Sequence, residues 1–289
     1  MDPMEASDVG GVEWYGASID AALQAEVEEY FDAGARVQRG DVVVDVGANV
    51  GAFAARVAER TSGEVTLHCF EPAPDTFAAL ERNGQVHRWL RRARLRLARV
   101  ALTSPAHAGR ERPFYFFARI PTNSTYHLED KHAEYVTYFH ARAAEVARGL
   151  ARIPALGRVL VRLVDAFVGR VVRADNSWFV GLADRASGLR VLPCRTESLE
   201  RWARRAGVTR VDLLKVDVEG AELDVLLGAG ALWPAIQQVV VEAHERGGRL
   251  EAITRLLAEQ GFVEVARVRP KMTAEAGLDN VILVARRPN

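Results

Sequence analysis

Lysine is almost missing from this sequence. Among 38 Lys and Arg residues in 289, the lysines are Lys131, Lys215 and Lys271. A residue this scarce invites scrutiny at each position, although a scarce lysine can still be a solvated one. Cysteine is scarce too. Cys69 and Cys194 each lie in an apolar run and are too few for a disulfide framework, so a reducing cytoplasm is expected. Neither sign of charge is in excess, because Asp and Glu also total 38. That removes a global basic field and argues against a nucleic-acid partner. No apolar run of about 18 residues is free of charge, so no membrane span is expected. The opening MDPMEASDVGG is acidic without an apolar core, unlike a signal peptide. Internal repeats and low-complexity linkers are also missing.

What is present is an apolar content of 49%, enough to bury one large core. A helix is expected over 18–34, capped by Ser18 or Asp20 and ended by Gly34. Strand-like and helix-like runs then alternate. The strand-like runs are 41–47, 64–72, 94–102, 112–120, 191–196, 211–220, 237–245 and two near the C-terminus. Alternation of this kind implies an α/β fold with a mostly parallel sheet covered by helices on both faces. Residues 270–279 join the last two strands as a short loop without a helix, which favours a terminal antiparallel hairpin. The expected organisation is an N-terminal helical segment, 1–40, followed by one domain, 41–289. A helical insertion at about 126–190 breaks the rhythm.

The first strand ends in Asp45-Val46-Gly47-Ala48-Asn49-Val50-Gly51. Small residues between a strand and a helix let backbone amides approach a ligand, and the helix N-terminus adds partial positive charge. The spacing is not G-x-G-x-x-G, because Asn49 takes the middle glycine's place and the last glycine comes one residue early. No Gly-Lys-Ser/Thr follows, which rules out a P-loop. Glu71 ends the second strand, 24 positions after Gly47. A carboxylate there can accept hydrogen bonds from two ribose hydroxyls and would repel a 2′-phosphate. Turn and acid together suggest an adenosine-type ligand. The plainer alternative for Glu71 is an exposed acid at a helix entry.

LLKVDVEGAE (213–222) is the most informative stretch. Lys215, Asp217 and Glu219 alternate along an apolar strand and would share one face. Buried charge on a central strand is costly unless it is paired or faces a cavity. DVGANVG, FEPAPDTFAAL and VDLLKVDVEGAELDVLLGAG, in this order, resemble the FkbM-type methyltransferases, with KVDVEGAE the specific part. The weaker TNST (122–125) and RTESL (195–199) stretches fit as well, though Glu197 stands where an aspartate is usual.

The resemblance covers 41–125 and 191–285. It implies a class I methyltransferase: a Rossmann-like, seven-stranded, mostly parallel sheet that uses S-adenosylmethionine. It further implies that Asp45, Gly47, Ala48, Asn49 and Gly51 line the cofactor. Glu71 would bind the ribose, and Asp217 would lie near the sulfonium and the acceptor. Asn123, Ser124 and Glu219 become candidates for the substrate side. Members mostly methylate hydroxyl oxygens of natural products or sugars.

An attacking alcohol must lose its proton, so a base helps. His244 and Glu242 end the next strand, beside Asp217 and Lys215. His244 is the expected base, oriented by Asp217 or Glu242. The same Asp217, Glu242 and His244 could instead hold a divalent cation, a reading ranked below the metal-free one. The apolar stripe of 153–172 is amphipathic and not membrane-spanning. It would serve as a lid over the acceptor, a homo-oligomer interface, a membrane-surface helix, or a dock for an acidic carrier protein that presents a tethered substrate. His127 and His132 are expected on the surface unless the lid brings one inward, and the basic run 88–99 as a solvated face, with an acidic carrier protein as the alternative partner. Two other functions remain open at this point. One is an NAD-dependent oxidoreductase, disfavoured by the glycine spacing. The other is a non-catalytic, S-adenosylmethionine-binding assembly module.

Overall fold

A computed structural model describes residues 6–9, 12–15, 21–150, 161–164, 166, 177–275 and 278–288. The candidate caps Ser18 and Asp20, and most of the 153–172 stripe, lie outside the described residues. Two short strands, β1 (Ala6–Val9) and β2 (Val12–Tyr15), form an antiparallel ribbon ahead of helix α1 (Ala21–Asp32). The N-terminal segment is therefore not helical alone.

The strands that follow are β3 (Val42–Val46), β4 (Thr66–Phe70), β5 (Arg94–Ala98), β6 (Ala101–Leu102), β7 (Glu111–Phe117) and β8 (Leu189–Glu197). The last four are β9 (Leu213–Val216), β10 (Gln238–His244), β11 (Val263–Val268) and β12 (Asn280–Arg286). Seven of them pair in the order β11-β12-β10-β9-β3-β4-β5. The pairs from β10 through β5 are parallel, and β12 runs antiparallel to both β10 and β11. This is the expected mostly parallel sheet with a terminal antiparallel hairpin. The hairpin connection does contain a short helix, Lys271–Glu275.

The period of two along each strand sorts the core into two layers. Val43, Leu213 and Val240 face one layer, with Tyr30 and Phe31 of α1 and Phe53 and Val57 of α2 (Ala52–Arg60). Leu67 and Leu80 join them, the latter from α3 (Pro74–Val86). Val44, Leu214 and Val239 face the other, with residues from three helices described below. Full burial of one such aliphatic side chain contributes about 1.5–3 kcal/mol, so the two layers dominate the fold's stability.

The run 94–102 does not continue as one strand. It breaks after Ala98, and β6 pairs with β8. The run 112–120 also stays outside the main sheet. As β7 it pairs with β8 antiparallel, giving a side sheet of order β6-β8-β7. Helix α4 (Leu128–Leu150) leaves this sheet and packs on α5 (Ser177–Ser187), with Phe139 and Phe179 rings 4.9 Å apart. His132 is not a plain surface residue: its Nε2 lies 3.0 Å from Asp184 of α5. The second layer is closed by α6 (Leu199–Ala206), α7 (Glu222–Leu227) and α8 (Arg249–Glu259). Ser198 caps α6 by accepting from the Arg201 amide. Among the described residues, no helix is long and apolar enough to cross a membrane.

Candidate active site

The chain just after β3 touches the chain just after β9. A Cβ at Gly47 would overlap the Asp217 carbonyl, and Gly47 has φ +78°, so glycine alone fits there. The chain then turns at Asn49, a non-glycine residue with φ +50°. That turn aims the Asn49 amide at Glu71 Oε2, 3.0 Å away, while the Ala73 amide donates to Oε1 at 2.9 Å. Glu71 is thereby fixed at both oxygens and keeps acceptor capacity toward a cleft. Burial pushes its carboxyl up to about 7, against the pull of the two amides.

The cleft encloses about 960 Å³, including its open mouth. Its floor is Gly47, Ala48, Asn49, Glu71, Lys215 and Asp217. Thr122, Ser124 and Tyr126, in the segment between β7 and α4, border another side, and Leu23, Glu26 and Tyr30 of α1 a third.

Strand parity explains the chemistry of the floor. Asp45 and Lys215 are direct cross-strand partners, Lys215 also neighbours Val240, and Glu242 lies two residues further on the same face. α1 covers that face. Lys215 Nζ donates to the Gly47 carbonyl at 3.1 Å and lies 3.3 Å from Asp45 and 3.4 Å from Asp217. Burial alone would depress this lysine, but Asp45 and Asp217 outweigh it and hold the ammonium charged. The Tyr30 hydroxyl lies 2.7 Å from Glu242 Oε2 and 3.1 Å from Asp217 Oδ2. One hydroxyl proton cannot satisfy both. Glu26 joins them, with donor atoms of Glu26, Asp217 and Glu242 within 4.8 Å of one another. Burial, then the neighbouring carboxylates, push Glu242 up to about 7 and Glu26 up to about 8. Burial and mutual repulsion thus bring the titration of Glu26 and Glu242 close to neutrality.

His244 does not fit the role expected of it. It is buried, and its Nδ1 lies 2.8 Å from Glu222 and its Nε2 3.0 Å from Glu219. Burial would favour neutral imidazole, yet the two carboxylates raise its pKa well above normal. A charged ring with both N–H groups committed has no lone pair to accept a proton, and His244 does not border the cleft. The expected metal set of Asp217, Glu242 and His244 is likewise split. The donor atoms that cluster are Glu26, Asp217 and Glu242 in one group, and Asp217, Glu219 and His244 in another.

Other expectations divide. Gly47, Ala48, Asn49, Glu71, Asp217, Lys215, Ser124 and Glu219 border the cleft. Asp45 lies beneath it, wholly buried as the counter-ion of Lys215. Gly51 is also behind it: with φ +97° and a Cβ position 2.8 Å from Leu80, its reasons are backbone and packing. Asn123 and Glu242 are not among the lining residues; Glu242 reaches the cleft's chemistry through Tyr30 and through its clustering with Glu26 and Asp217. β9 ends at Val216, so Glu219 does not share a strand face with Lys215. Its φ of +54° turns it toward Lys131 and His244, which hold its carboxyl down at about 2 despite burial.

Glu26, Tyr30 and Lys131 were not reached from the sequence. Glu26 and Tyr30 stand one turn apart on one face of α1, but nothing local says what that face meets. Lys131 carried a signal in its scarcity, and it is buried against Glu219 and, at 2.6 Å, Glu134. Lys271 carried the same signal and is exposed.

Residues 173–264 match the family model described as the methyltransferase FkbM domain. The chain is 32% identical over 242 residues to the 31-O-demethyl-FK506 methyltransferase FkbM of Streptomyces tacrolimicus, covering 83% of this chain and 80% of that protein. It is 32% identical over 221 residues to the methyltransferase sdnD of Sordaria araneosa, covering 76% and 73% of the two chains. Among solved structures, M. jannaschii TYW2 in complex with AdoMet aligns at 9% identity and a TM-score of 0.44, covering 100% of this chain and 88% of that one. The strand order, the glycine turn beside Glu71 and the identity over most of the chain lead to one assignment: the protein belongs to the FkbM family of S-adenosylmethionine-dependent methyltransferases.

Proposed function

We propose that the protein transfers a methyl group from S-adenosylmethionine to a hydroxyl oxygen of a small molecule, a natural-product intermediate or sugar. The observation that carries this reading is the meeting of two clusters on one cleft. Glu71 and the Gly47–Asn49 turn border one part, and Glu26, Tyr30 and Asp217 another.

The residues fit the cofactor. Glu71 has acceptor capacity left for two ribose hydroxyls, and the glycine turn gives close backbone approach. The acids around Asp217 outnumber Lys215, which favours a cationic methionine end there. Bound in this way, S-adenosylmethionine would supply an electrophilic methyl group. The chain's residues then have two tasks. The side sheet and α1 position the acceptor oxygen and exclude water. The Glu26–Asp217–Glu242 cluster takes the hydroxyl proton, either directly or through Tyr30, because at least one member can ionise near neutral pH. Glu26 replaces His244 as the favoured proton acceptor, and this route requires no metal.

In the same reading, 41–289 is the methyltransferase domain and 126–190 an insertion that covers the acceptor. Membership in a methyltransferase family displaces the oxidoreductase alternative. The non-catalytic alternative predicts binding of S-adenosylhomocysteine without turnover. The test is a screen of hydroxylated metabolites and carrier-bound acids for S-adenosylhomocysteine release, with the product's methyl position read by NMR. An O-methyl product formed equally well in EDTA supports the reading. Methylation at nitrogen or carbon, or failure to bind S-adenosylhomocysteine, overturns it.

A further inference from the structure

A second cleft lies behind the link between β5 and β6, where Val100 borders both it and the cofactor cleft. It encloses about 1030 Å³, including its open mouth. Five arginines from four parts of the chain surround it. They are Arg99 after β5, Arg110 on the loop before β7, Arg195 on β8, and Arg201 and Arg205 on α6. Two lining carboxylates, Glu111 and Glu197, oppose them. In a chain whose total charge is zero, this is a concentrated local excess.

All five arginines are exposed, but the framework that carries them is braced. Glu197 is buried and takes both ends of the Arg205 fork at 2.5 and 2.8 Å, with Arg201 Nε 4.0 Å away. The loop bearing Arg110 is tied to Thr196: the Gly109 amide donates to its carbonyl at 2.8 Å, and its own amide donates to the Arg110 carbonyl at 3.0 Å. Thr196 Oγ1 lies 2.7 Å from the carbonyls of His107 and Arg110. Arg195 is the next residue on β8, cross-strand from Glu111, yet the two form no ion pair. Among the described residues, no carboxylate lies within ion-pair distance of Arg99, Arg110 or Arg195.

Three exposed guanidiniums without a carboxylate partner border one concave surface, where their like charge favours a bound anion at low salt. One fork pairs with a carboxylate or a phosphate alike, but a phosphate's three terminal oxygens let a single group engage more than one fork. We propose that this cleft binds the phosphate group of a small ligand, held by Arg110 and Arg195 with Arg99 in support. A concave pocket suits a small molecule, whereas an extended nucleic-acid backbone would need a longer basic track.

Calorimetry at low salt with inorganic pyrophosphate and glycerol 3-phosphate, and citrate as control, tests this on the full chain. Saturable binding of a phosphate probe is expected, weakened about tenfold or more in Arg110→Glu/Arg195→Glu. S-adenosylhomocysteine affinity of that variant should be unchanged, which certifies its fold independently. Binding of pyrophosphate alone assigns the site to inorganic polyphosphate; binding of both assigns it to phosphate esters as well. No saturable binding, equal binding of citrate, or undiminished binding by the folded double variant overturns the proposal.

Discussion

Lys131, in the first turn of α4, forms a buried ion pair with Glu219, the left-handed residue of the acidic loop after β9. Glu219 continues to His244, and His244 to Glu222, so a chain of alternating charges ties the insertion to the sheet. Thr125 strengthens the tie by donating to the Glu219 carbonyl at 2.6 Å. Removing Lys131 leaves two carboxylates, Glu134 and Glu219, short of their cation. Lys131→Met should lower stability by about 3 kcal/mol, read from the urea midpoint, with Lys131→Arg losing less. An unchanged midpoint would mean the pair contributes nothing.

His244 gives a stability signature with a definite sign. Its folded pKa lies above the unfolded value of about 6.5, so the imidazolium's contribution is complete below that pH. It is lost as pH rises through the folded value. Wild type should therefore lose stability relative to His244→Gln as pH climbs from about 6.5. A difference that stays flat with pH would show that the ring is neutral in the fold.

Glu26 and Glu242 titrate near 8 and 7, so the methyl-transfer rate should rise with pH across that interval. Glu26→Gln should lower kcat by about 100-fold while leaving S-adenosylhomocysteine affinity nearly intact. The same raised acid weakens folding as pH rises from about 4.5 through 8. The glutamine variant should then gain stability over wild type at the alkaline end. A full-rate Glu26→Gln enzyme would move the proton-accepting role elsewhere in the cluster.

Glu71→Gln keeps the shape of the side chain but gives up a charged acceptor. S-adenosylhomocysteine affinity should fall roughly 10- to 100-fold by calorimetry, as loss of a charge-assisted hydrogen bond does. Unchanged affinity would remove Glu71 from the cofactor's contacts.

Gly47→Ala forces a methyl group into the Asp217 carbonyl and strains a φ of +78°. Destabilisation of about 3 kcal/mol and loss of cofactor binding are expected. Gly207→Ala, also at positive φ but with open space around it, should cost less and leave binding alone. Equal losses in the two variants would show that backbone strain, and not close approach, matters at Gly47.

The sequence by itself determined what short-range periodicity can carry. Valine-rich runs alternating with amphipathic helices required a parallel sheet, and the period of two put Val43 and Val44 into opposite layers. Asp45 and Glu71 at strand ends, and KVDVEGAE as a whole, marked the rim where chemistry belongs. Only the tertiary structure decided which partner each charge meets. Tyr30 reaches Glu242 across 212 positions and Asp217 across 187, distances over which no local pattern fixes a contact. Sequence could place His244 at the end of a central strand, but it could not reveal carboxylates on both sides of the ring. Those come from a left-handed turn at Glu219 and from the start of α7, and their combined field turns an expected base into a fixed cation.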